Sequence, residues 1–207
     1  RRGRVILLFQ PAEETGDGAQ RVLKSRKWKQ VQPDFVFAFH NLPGFPLGQI
    51  LVREEAFTAS VQSLILRLRG KAAHAAEPEM GRNPAWAVAE ILDLCRKLTV
   101  NEPEQDDFAI LTPVHLQLGE RAYGVAAGYG EVHLTIRTWR ESSMRELSDV
   151  FVRKVEKITG RHGLELEKEW LQVFRTTLNE PGCVERVRRA ARTNGYELRE
   201  PAFPFRW

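Results

Sequence analysis

Two kinds of apolar pattern divide this sequence. Val5-Ile-Leu-Leu-Phe9 is an unbroken apolar run closed by Pro11, and Phe35-Val-Phe-Ala-Phe39 repeats the form after Pro33-Asp34. Short runs without polar alternation predict strands buried on both faces, as in a parallel sheet. From Val61 to Arg69 the chain instead alternates apolar and polar residues, which predicts a strand with one wet face. The same alternation recurs over about residues 109–118, 131–139 and 164–173.

Helices are expected between these strands. Asn83-Pro84 supplies an N-cap followed by Pro at the first helical position, and Val88, Ile91, Leu92, Cys95 and Leu98 then share a face. Ser143 and Glu146 have capping-box spacing and precede Leu147, Phe151, Val155 and Ile158 on one face, with Gly163 as the stop. Near the start, Asp17 and Gln20 predict a capping box for a short helix over about 18–26, followed by a polar connector. A last helix over about 181–194, stopped by Gly195, leads to a short strand at 196–198. The β-α-β-β-α-β order over residues 57–172 is that of a ferredoxin-like domain. It interrupts an α/β domain made of residues 1–56 and 173–207, and such an arrangement places a cleft between the two.

Composition narrows the field modestly. At 207 residues the chain is long enough for a proper core. Its net charge of +4 is spread among interleaved acids and bases, as where Arg188-Arg189 follow Glu185, so no nucleic-acid footprint is expected. Cys95 and Cys183 have no CxxC spacing and form no disulfide framework. No apolar run is long enough for a membrane span, and a cytoplasmic location is expected. The chain begins at Arg1 and stops at Trp207 within an aromatic, proline-containing run, so an internal piece of a longer protein is expected.

Candidate chemistry sits where the two apolar runs end. The first delivers Glu13 and Glu14, the second His40-Asn41. In open α/β sheets ligands bind beyond the carboxyl ends of strands. Carboxylate and imidazole together suit zinc or a similar divalent ion. The plain alternatives are that acids favour the start of a helix and that a lone His is structural. His115, His133 and His162 read as structural or solvated, and the scattered Trp residues as core or surface anchors.

Three segments in order, Phe9-Gln-Pro-Ala-Glu-Glu14, His40-Asn-Leu-Pro43 and Gly70-Lys-Ala-Ala-His-Ala-Ala-Glu-Pro78, resemble the M20 family of metallopeptidases. The branch they resemble includes hippurate hydrolase and indoleacetyl-amino-acid hydrolase. The resemblance implies a catalytic α/β domain holding two divalent ions, zinc or manganese, and an inserted lid domain that also mediates homodimerisation. It implies Glu13 as general base, Glu14 and His40 as metal ligands, and His74 as the group that polarises the scissile carbonyl. Arg137, in Thr135-Ile-Arg-Thr138, corresponds to a lid arginine that grips a substrate carboxylate. The implied substrate is an N-acyl amino acid or small peptide, with no nucleic-acid or membrane partner. The branch also uses Cys and His ligands from a Cys-Gly-His-Asp type motif before Glu13 and a further His near the C-terminus. Neither lies in these residues, and Gly124-Val-Ala-Ala127 stands where relatives often carry Asn-Val-Ile-Pro. The rival reading is a non-catalytic relative that keeps the lid as a dimerisation module.

Overall fold

The computed structural model describes residues 3–206. The chain divides into two compact units, one ending at Pro46 and the other beginning at Leu47.

The first unit contains two short helices, α1 (Asp17–Lys24) and α2 (Arg26–Val31). Gly16, with φ of 75°, occupies the N-cap of α1, and no side chain caps the helix. Asp17 is already helical, one position too far along to cap, so the expected box with Gln20 is not made. Ser25 ends α1 and starts α2, its hydroxyl accepting from the Trp28 N–H at 3.1 Å. The expected connector there is therefore a helix. The two apolar runs are not in strands, and several of their side chains stand open: Val5 is 91% exposed, Phe9 87% and Phe39 79%. A strand buried on both faces needs neighbours on both edges and both sides. None of the described strands pairs with either run.

The second unit opens with β1 (Ile50–Leu51), β2 (Glu55–Thr58), β3 (Ser60–Arg69) and β4 (Ala73–His74). A single 3-10 turn at Pro78–Met80 leads into α3 (Ala85–Leu98). Then come β5 (Ala109–Leu118), β6 (Val125–Ala126), β7 (Tyr129–Thr138), α4 (Glu141–Arg161) and β8 (Glu165–Phe174). The chain closes with β9 (Thr177–Asn179), α5 (Pro181–Thr193) and β10 (Leu198–Arg199). Four of these strands form an antiparallel sheet in the order β5-β7-β3-β8. In its centre β3 runs against β7 without a break, from Ser60 opposite Thr138 to Arg69 opposite Tyr129.

Alternation decides which face of this sheet is dry. Leu64, Leu66 and Leu68 of β3 and Val132, Leu134 and Ile136 of β7 are wholly buried. They pack against Ile91 and Cys95 of α3 and Phe151 and Val155 of α4. Burying one such side chain stabilises the fold by roughly 1.5–3 kcal/mol. The opposite face carries Arg67, Arg69, Glu131, His133 and Arg137, the polar members of the same period.

Helix starts follow local geometry. Pro84 takes the N-cap of α3 where Asn83 was expected, while the Asn83 Oδ1 one position earlier still accepts from the Ala85 N–H at 2.9 Å. By contrast α4 begins at Glu141 with extended Arg140 as its N-cap and no side-chain cap. Ser143 falls inside the first turn, so the expected Ser143–Glu146 box is absent. Gly163, with φ of 62°, ends that segment as expected. Beyond the sheet, β10 pairs in parallel with β1 and β9 pairs antiparallel to β2. The returning chain thus runs beside the stretch that leads into β3, giving a mixed α/β architecture.

Candidate active-site residues

Glu13 and Glu14 sit on a tight turn braced by backbone contacts. The Gly16 N–H donates to the Glu13 carbonyl at 2.9 Å, and the Gly18 N–H to the Ala12 carbonyl at 3.2 Å. Ala12 takes a left-handed φ of 50°, uncommon for a residue with a Cβ. Gly18 is the residue that permits this closeness, since a Cβ there would lie 1.6 Å from the Pro11 carbonyl oxygen. The turn brings Glu13 to His40: Glu13 Oε1 lies 3.3 Å from His40 Nε2, across 27 positions of sequence. Both side chains remain more than half exposed, at 55% and 57%. Glu14 is exposed beside them.

Carboxylate oxygen and imidazole nitrogen are donors that zinc and related ions accept, and here they are open to solvent. Among the described residues no group of three or more His, Cys, Asp or Glu side chains is arranged to hold a metal ion. The donor types fit a divalent ion, although the two side chains in contact are fewer than a full coordination sphere needs.

In the second unit, His74 is held by backbone on two sides. Ala73 and His74 pair with Ala126 and Val125, and the Ala75 N–H donates to the Gly124 carbonyl at 2.9 Å. Just before them, Lys71 and Arg82 exchange hydrogen bonds of 3.1 and 2.8 Å. Glycines make this approach possible, for a Cβ at Gly128 would stand 2.4 Å from the Ala72 nitrogen. The Gly124–Ala127 segment therefore serves as the strand partner of the histidine loop, a role invisible in its residue types. His74 closes a turn with the Glu77 N–H donating to its carbonyl at 2.9 Å, and its Nδ1 accepts from the Ala76 N–H at 3.1 Å.

Arg137 differs from the other arginines of its sheet face. Arg67 pairs with Glu169 at 2.8 Å, and Arg69 with Glu167 at 2.9 Å. Arg137 stands in register with Val61 and Ile110, and its Nη1 donates to the Arg206 carbonyl at 2.8 Å. Among the described residues it has no carboxylate partner, and partial burial pushes its guanidinium pKa down. Its neighbours thus form sheet-face Arg–Glu pairs that Arg137 does not share among the described residues.

Other titratable groups have structural work. Glu131 accepts from the Tyr129 hydroxyl at 2.5 Å and contacts His133, and these partners hold its pKa below the usual carboxylate range. His115 meets the His133 ring edge-on at 5.0 Å between centroids. His162 and Arg161 both bind Glu90, at 2.8 and 2.5 Å. Burial pushes the Cys95 thiol up to about 11, which suits a core residue and not a ligand.

Comparison with known proteins agrees with this picture at the level of family and fold. The model of peptidase family M20/M25/M40 matches residues 1–206. N-acetyldiaminopimelate deacetylase of Priestia megaterium is 32% identical over 155 residues, covering 73% of this chain and 41% of the relative. N-acetylcysteine deacetylase of Bacillus subtilis is 26% identical over 196 residues, covering 95% of this chain and 51% of the relative. The chain thus spans about half the length of the curated relatives it matches. A Bacillus subtilis crystal structure, described as a dinuclear metal binding peptidase from the M20 family, superposes with a TM-score of 0.71 at 23% identity. That match covers 96% of this chain and 48% of the other. With a family match across nearly every residue and the shared fold, the chain belongs to peptidase family M20/M25/M40.

Proposed function

We propose that the whole protein is a metal-dependent amidohydrolase that cleaves N-acyl amino acids into an amino acid and a carboxylic acid. The contact between Glu13 and His40, with Glu14 exposed beside them, carries this reading. Relatives named as deacetylases of N-acetylated amino acids support the substrate class. Glu14 and His40 would hold part of a pair of divalent ions, zinc or manganese, with further ligands from outside these residues. A divalent ion bound there supplies Lewis-acid polarisation of the carbonyl and a water acidified toward neutral pH.

The chain's own groups have separable tasks. Glu13 takes a proton from the attacking water and delivers it to the amide nitrogen as the C–N bond breaks. The His74 imidazole donates a hydrogen bond to the carbonyl oxygen as negative charge gathers on it. Arg137, with no carboxylate partner among the described residues, binds the carboxylate of the substrate's amino-acid portion with its planar fork. In the domain terms of this reading, residues 57–172 form a ferredoxin-like lid inserted between the catalytic segments 1–56 and 173–207. The lid also serves homodimerisation.

The decisive experiment is Glu13→Gln in the whole protein, loaded with zinc, manganese or cobalt and assayed on hippurate and N-acetyl amino acids. General-base loss predicts a fall in kcat of about 10²–10⁴-fold with the fold intact. Undiminished turnover would sink the mechanism. A wild-type protein that is inert with all three metals, yet dimerises, would favour the non-catalytic module.

A further inference from the structure

The turn that follows His74 says which of its nitrogens can work. A backbone N–H has only a proton to offer, so the Ala76 N–H, 3.1 Å from Nδ1, requires a lone pair there. A neutral imidazole with a lone pair on Nδ1 carries its proton on Nε2. We infer that Ala76 is a positioning residue, whose main-chain N–H fixes His74 as the neutral Nε2–H tautomer and aims that N–H as the donor. This rests on the proposed role of His74 and adds the tautomer and the group that sets it.

The surroundings make the assignment durable. Ala76 lies two positions from His74, inside a turn closed by the Glu77 N–H on the His74 carbonyl at 2.9 Å. Upstream, Ala73 and His74 are paired with Ala126 and Val125. Neither end of the turn can swing without breaking main-chain hydrogen bonds. The opposite tautomer would set Nδ1–H against the Ala76 N–H, donor against donor. The arrangement therefore presents Nε2–H as the donor to negative charge developing on the carbonyl oxygen.

Two measurements on the whole metal-loaded protein test this. Nitrogen-15 NMR of labelled histidine should show neutral His74 protonated on Nε2, with an acceptor signal from Nδ1 and with His74→Gln used to assign the peaks. Substitution supplies the functional counterpart. The amide nitrogen of Gln lies as many bonds from Cβ as imidazole Nε2, whereas that of Asn matches Nδ1. His74→Gln should therefore retain a kcat at least about 10-fold above His74→Asn, a fraction of the 10²–10³-fold that one oxyanion donor is worth. A proton found on Nδ1, or His74→Asn as active as His74→Gln, overturns the assignment. Full activity in His74→Ala would instead remove His74 from the proposed mechanism while leaving the NMR result standing.

Discussion

A guanidinium with no acid beside it among the described residues is the sharpest residue-scale feature of this chain. Arg67, Arg69 and Arg188 each meet glutamate, while Arg137 meets a main-chain carbonyl and two apolar neighbours in register. A partly desolvated cation in that setting gains most from a ligand carboxylate that can bridge it bidentately. Arg137→Ala should raise KM for N-acetyl amino acids by about 10–100-fold, the loss of a charge-assisted hydrogen bond of about 1.5–3 kcal/mol. It should leave the corresponding amino-acid amides almost unaffected, and an equal loss on acid and amide would refute carboxylate recognition. Residue types pointed to Glu13, Glu14 and His40 because carboxylate and imidazole announce their chemistry, whereas Arg137 came into view only through the family resemblance. Ala76 stayed hidden for the opposite reason: its contribution is a main-chain N–H that any residue but proline carries.

At the scale of elements, alternation was the dependable guide. It located β3, β5, β7 and β8 to within a residue or two, because one face of each inner strand must be dry and a slip would expose it. Capping signals fared unevenly. Asn83 falls one position before the N-cap of α3 but still bonds its first turn, whereas Asp17 and Ser143 lie inside the helices they were expected to open, because Gly16 and Arg140 make the turn without side-chain help. The wet face of the sheet has its own pH dependence. Glu131 has a lowered pKa, first through the Tyr129 hydroxyl and then through His133. A carboxylate whose folded pKa is depressed adds stability that is complete above its unfolded value of about 4.3 and is lost as pH falls through the folded one. Thermal unfolding followed from about pH 6 to pH 3 should show wild type losing its advantage over Glu131→Gln across that window. A constant gap between the two would show that the carboxylate charge contributes nothing.

For the whole molecule, the sheet edge matters most. From Thr112 to Leu118, β5 is exposed along an outer strand, with Val114, Leu116 and Leu118 all open. A long, partly apolar edge is a template for pairing with another chain unless something covers it. A second copy joined edge to edge would satisfy its hydrogen bonds under a two-fold axis. Sedimentation of the whole protein at several concentrations should show a dimer that Leu116→Lys dissociates, and a strictly monomeric wild type would contradict the proposed homodimer. The sequence anticipated this sheet but not the state of the first unit. Its apolar runs satisfied the pattern of doubly buried strands, yet such strands take their form from neighbours, and none of the described strands supplies them.

The seclusion of Cys95 has a practical corollary. Its side chain is inaccessible, while Cys183 sits partly open in the first turn of α5, and both thiols are pushed up, Cys95 by burial and Cys183 by desolvation and Glu180. Of these two thiols a maleimide dye reaches only the one on α5, and faster as pH rises, turning that helix into a ready spectroscopic reporter.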